Sequence, residues 1–62
     1  MKAKLVITTS NYMNILDYRW RLELDSFLIE SRGECAYKSN AKRAAVKVAN
    51  KFGIEITEYI VS

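Results

Sequence analysis

An α+β fold, in which one helix packs on one face of a small antiparallel β-sheet, is predicted by three features of this 62-residue chain. Tyr18 to Leu24, YRWRLEL, alternates with period two, placing Tyr18, Trp20, Leu22 and Leu24 on one strand face and Arg19, Arg21 and Glu23 on the other. Residues 41 to 52 carry Ala41, Ala44, Ala45, Val48, Ala49 and Phe52 on one helical stripe, with Gly53 just beyond. Residues 54 to 61, IEITEYIV, alternate again. The order that follows is β-β-β-α-β. It is read as one domain, since a chain this short buries only about 60% of the surface its unfolded form exposes and cannot fill two cores.

The first strand is read over residues 2 to 9, KAKLVITT, with Ala3, Leu5 and Ile7 facing the core and Lys2, Lys4, Val6 and Thr8 opposite. Ser10 to Asn14 is a connector in which the asparagines supply turn geometry and Tyr12 and Met13 cap the core edge. After the Trp20 strand, Asp25-Ser26 turns the chain into a short strand from Phe27 to Glu30, forming an antiparallel hairpin. A loop through Arg32 to Lys38 contains Gly33. Ser39 or Asn40 is the expected helix N-cap. Phe52 supplies bulk at the last turn, Lys51 suits the negative end of the helix dipole, and Gly53 takes the left-handed stop. In the last strand Ile54, Ile56 and Ile60 are expected inward, with Glu55, Thr57, Tyr59 and Val61 outward.

Composition excludes several function classes. There is no histidine and Cys35 is the only cysteine, so no internal disulfide and no Cys/His zinc site can form. Cys35 is expected as a small, partly buried side chain beside the loop glycine. The seven acids are scattered along the chain, and the two glycines, Gly33 and Gly53, are isolated, which leaves no phosphate-binding loop. No enzyme activity and no cofactor are expected. No stretch approaches the roughly 20 apolar residues of a membrane span, and Leu5-Val6-Ile7 is too short for a signal peptide's apolar region. The chain is therefore expected to be soluble and cytoplasmic, without membrane contact. A core of this size supplies about 3 to 5 kcal/mol, so regular packing or self-association must support it.

Charge is distributed unevenly. The net charge is +3, but residues 32 to 51 hold six bases, Arg32, Lys38, Lys42, Arg43, Lys47 and Lys51, against Glu34 alone. Two basic features follow. Arg19 and Arg21 project together from the open sheet face, either to meet phosphates or to pair with Glu23, Glu30 or Glu55 across the strands. Lys42, Arg43, Lys47 and Lys51 line the outer side of the helix, with Lys38 just ahead of it. Such a face is commonly only the wet side of an amphipathic helix, yet this one lacks acids. Tyr59 is the ring expected on the open sheet face, with Tyr37 a second candidate in the loop, for stacking on nucleic acid bases.

The middle of the chain, YRWRLEL followed by Gly33-Glu34 and by Tyr37-Lys38-Ser39-Asn40-Ala41, resembles the YegP-like family of small bacterial and phage domains. Trp20, Tyr37, Ser39 and Ala41 carry the likeness, over residues 18 to about 50. Asp25-Ser26 stands where the family usually has Asn-Gly. The resemblance implies a Trp-bearing strand in a hairpin, a helix opened by the Tyr-x-Ser-x-Ala segment, and pairing of a lone copy with itself; it implies no chemistry.

Taken together, the expected function is that of a small non-catalytic binding protein, phage or mobile-element encoded. It would dock on a host protein or nucleoprotein complex and modulate or inhibit it, in the manner of anti-CRISPR inhibitors. The alternative is a nucleic-acid-binding module using the basic helix face and sheet arginines, and a third is a structural homodimer.

Overall fold

A computed structural model of the chain describes residues 1–31 and 33–61, the side chain of Tyr12 excepted. Arg32, counted above among the bases, lies outside the described residues. Four strands and one helix follow in the expected order: β1 (Lys2–Tyr12), β2 (Ile15–Glu23), β3 (Leu28–Glu30), α1 (Lys38–Phe52) and β4 (Glu55–Val61). They form one sheet ordered β3-β2-β1-β4 with α1 across one face. The β1–β2 and β2–β3 pairs are antiparallel, but β4 runs parallel to β1, so the sheet is mixed. The parallel pair follows from the α1 crossover, which returns the chain to the end of the sheet where β1 began.

The core lies between α1 and the sheet. Leu5, Ile7 and Leu22 are its largest fully buried side chains, and Leu5 pairs with Leu22, Ile7 with Trp20. Ala41, Ala45 and Ala49 are buried along one stripe of α1 and let its backbone lie close over the strands. Phe52 departs from the expected stripe: it is 61% exposed at the helix end. The helix also starts earlier than expected. Lys38 is its first residue and Tyr37 the N-cap, with extended backbone (φ −127°, ψ 140°) and no side-chain cap bond. The Tyr37 carbonyl accepts from Asn40 and Ala41, so Ser39 and Asn40 fall inside the first turn and do not cap it. The C-terminal stop is as expected. Gly53 takes φ 69°, its N–H donates to Asn50 and that of Ile54 to Ala49, a Schellman closure in which buried Ile54 and Ala49 share the core.

Of the connector expected over Ser10 to Asn14, Ser10 to Tyr12 is strand, while Asn14 supplies turn geometry as expected. β1 and β2 pair out to Tyr12 and Ile15, leaving a two-residue loop with Met13 at φ 51° and Asn14 at φ 65°. Two positive φ angles define a type I′ hairpin, whose twist matches that of the flanking strands. The ribbon projects past the helix, and the molecule measures 37 × 18 × 18 Å. Met13 sits at the tip, 78% exposed, and caps no core.

Candidate functional site

Each surface singled out above acquires a geometry from this frame. On the sheet face opposite α1, β1 contributes Lys4, Val6 and Thr8, which register with Glu23, Arg21 and Arg19 of β2. Arg19 and Arg21 stand on this open face, as the alternation requires. Both are neutralised locally. The Arg21 Nε donates to Glu23 at 2.8 Å, and Arg19 pairs with Glu34. Lys4 lies 3.9 Å from Glu58. The hydrogen bond from Arg19, then its charge, holds the Glu34 carboxyl below the usual carboxylate range and raises the arginine in turn. A shallow cleft of about 180 Å³ between β3 and the arginines is lined by Thr8, Arg19, Trp20, Arg21, Glu30 and Ser31, mostly a mixture of both charges and hydroxyls.

Glu34 and Glu58 were not among the partners expected for these bases. Glu34 reaches Arg19 because Cys35 returns to pair with Tyr18: each backbone N–H donates to the other residue's carbonyl at 2.8 Å, laying the loop beside β2. That contact joins residues 17 apart and leaves no local sequence pattern. The same pairing leaves Cys35 half-buried against the core, as expected for a structural thiol.

Tyr59 is corrected. In β4, Ile56 registers with Ala3 but Glu58 with Lys4, so Thr57 is an extra residue in a β-bulge and its Oγ1 donates to the Ala3 carbonyl at 3.3 Å. The bulge inverts every later side chain. Tyr59 and Val61 now share the helix side with Leu5 and Ile7, while Ile60 joins Val6 on the open face. Tyr59 therefore offers no ring to the open sheet. Its face instead receives the Lys42 Nζ at 4.5 Å from the centroid. Tyr37 is exposed at the start of α1.

The helix bases are arranged differently from those on the sheet. Lys38, Lys42, Arg43, Lys47 and Lys51 are all exposed, α1 contains no acid, and among the described residues none of the five enters an ion pair. At 100° per residue Arg43, Lys47 and Lys51 fall opposite the Ala41-Ala45-Ala49 stripe, a ridge at i, i+4 and i+8 about 12 Å long. Lys42 flanks the ridge, tied to Tyr59. Three like charges at four-residue spacing cost roughly 0.2–0.5 kcal/mol per adjacent pair, offset in part where Lys51 meets the negative end of the helix dipole.

Among the described residues no group of three or more Cys, Asp or Glu side chains is placed to hold a metal ion, and no helix is long and apolar enough to cross a membrane. No family model, curated protein or solved structure matches the chain.

Proposed function

We propose that this is a non-catalytic docking protein whose binding surface is the outer face of α1, and that its partner is an anionic patch on a host protein or nucleoprotein complex. One observation carries the reading: Lys4, Arg19 and Arg21 on the sheet each have an acid beside them, whereas among the described residues the five helix bases have none. An unmatched ridge is mildly destabilising alone and is relieved when an opposed charge arrives. Modulation of a host complex in a reducing cytoplasm, with phage or mobile-element origin and an inhibitor's role of the anti-CRISPR kind, is the biological setting this reading takes. The YegP-like resemblance, carried by Trp20, Tyr37, Ser39 and Ala41, belongs to the same proposal and adds self-pairing to it.

Direct nucleic-acid binding is the second reading, favoured by the ridge spacing and by the pairless bases. Its strength is bounded. Three ridge bases neutralising three phosphates give a log–log salt slope of only about −2.7, too shallow for tight binding at physiological salt. Titrating the chain with random duplex and single-stranded DNA across a salt series separates the two. Weak binding at low salt that vanishes at physiological salt supports protein docking; submicromolar affinity at physiological salt overturns it in favour of nucleic acid.

A further inference from the structure

The crest of α1 is polar throughout: at 100° per residue, the exposed Asn40 and Asn50 lie among Arg43, Lys47 and Lys51. A crest of this kind sets the approach and orientation of a partner, while residence depends on apolar side chains desolvated in a pocket. Three such side chains stand together at the far end of the β1–β2 ribbon. Met13 is 78% exposed, Ile15 61% and Leu16 50%. Ile15 and Leu16 are consecutive in β2 and so lie on opposite faces, Leu16 with Tyr18 on the helix side and Ile15 with Asp17 on the other. Met13 closes the end. No side chain from Leu5 to Leu16 is charged, and the first charge on the return strand is Asp17.

Neither the core nor the turn accounts for Met13. It is not packed in the core, and at φ 51° it holds a left-handed conformation that asparagine or glycine takes at less cost. Backbone held in such a region without a packing reason concentrates where a protein meets its ligand.

We propose that the hairpin tip is an apolar anchor, with Met13, Ile15 and Leu16 entering a concave, uncharged, apolar pocket on a protein partner. Shape and charge select this occupant. A wedge that is apolar on both faces and at its end is covered only by a cavity that encloses it, since a flat surface covers one face. The two-residue turn fixes the wedge before contact, so little conformational freedom is lost on entry. Lipid and nucleic acid also admit apolar wedges, but with flanking cations that meet head groups or phosphates. Here the flanking charge is an acid, Asp17, and the next residue but one, Arg19, is already paired with Glu34. The chain's own recess beside Met1, Leu24 and Phe27 is bordered by Lys2 and Asp25 and opens to solvent, so it does not enclose the tip of a second copy. The anchor adds a contact to the docking on α1 and does not depend on it.

A photo-crosslinking residue at Asn11, which registers with Leu16, leaves the three apolar side chains intact and tests the anchor. Irradiated in extract of the cells in which the chain is made, it should give one dominant protein adduct that persists at about 0.5 M salt, where surface charge is screened. Excess unaltered chain should abolish this adduct, while Met13→Asn/Ile15→Thr/Leu16→Thr should need at least about tenfold more to do so. All three positions are exposed, and asparagine suits the turn as threonine suits the strand, so the variant should fold. If circular dichroism shows that it does not, Met13→Asn alone replaces it, with weaker competition than the parent again expected. Absence of a protein adduct, displacement by the variant as efficient as by the parent, or an adduct lost on nuclease treatment overturns the proposal. So does partition into phosphatidylglycerol vesicles that the parent shows and the variant loses, which would give the tip to lipid. Heparin binding reports α1 and should be equal in variant and parent, so failure of the ridge and failure of the anchor are separate results.

Discussion

Leu22 and Phe52 make a paired test of where the core lies. Leu22 has no exposed surface, is held between Leu5 of β1 and Ile29 of β3, and is covered by the alanine stripe. Leu22→Ala removes its branched end from a site with rigid strands on both sides, so the cavity has little freedom to collapse and the loss is about 3–5 kcal/mol. A core of this size supplies about the same total, so at least half of the Leu22→Ala chains should be unfolded in buffer at 25 °C. Phe52, mostly exposed, should lose under about 1 kcal/mol on truncation to alanine. The assay is urea denaturation followed by far-ultraviolet circular dichroism, at one protein concentration for all variants. A Leu22→Ala protein that unfolds cooperatively within about 1 kcal/mol of the parent refutes the placement of the core, as does a Phe52→Ala cost equal to that of Leu22→Ala.

Three further outcomes follow from the geometry. Replacing Met13-Asn14 by Asn-Gly keeps the type I′ turn and relieves a long side chain of positive φ, so the unfolding midpoint should rise by about 0.5–1 kcal/mol in stability; a fall would show that the turn is not of this type. Tyr37→Asp supplies the absent N-cap and an acid at the helix start, for a gain of about 1 kcal/mol in the same assay, while Ser39→Ala should change stability by less than about 0.5 kcal/mol. The Glu34 carboxyl is held low in the folded chain, so its pairing with Arg19 contributes fully above the usual carboxylate range and fades as pH falls from about 5 through the lowered value. Glu34→Gln should flatten that part of the pH–stability curve, and an unchanged slope counts against the pair.

Period and punctuation made most of the architecture legible. The alternation around Trp20, the alanine stripe and Gly53 each arise from local rules, and each holds in the structure. What escaped was non-local or conformationally costly. A Met-Asn type I′ turn uses positive φ without glycine, so nothing in Ser10 to Asn14 distinguishes a tight hairpin from a looser connector. The Thr57 bulge is set by the parallel pairing with β1, more than fifty residues away, and it alone moves Tyr59 to the helix side. Phe52 lies on the right stripe but is the last residue of the helix and mostly exposed. On the candidate surfaces, the residue faces were legible for Arg19, Arg21 and the helix bases, but their ion pairing was not, because Glu34 and Glu58 reach their partners through tertiary contacts.

The proposed docking surface turns on charge at α1, and a pair of variants compared in one binding series tests it most directly. Arg43→Glu/Lys47→Glu/Lys51→Glu reverses the ridge, and Arg19→Gln/Arg21→Gln removes the sheet bases, neither touching a buried position. With a polyanion such as heparin as the probe at low salt, the ridge variant should lose binding at least tenfold and show a shallower salt dependence, while the sheet variant stays within about twofold of the parent. Binding that survives the ridge reversal and fails in the sheet variant would contradict the assignment and move the surface to the open face of the sheet.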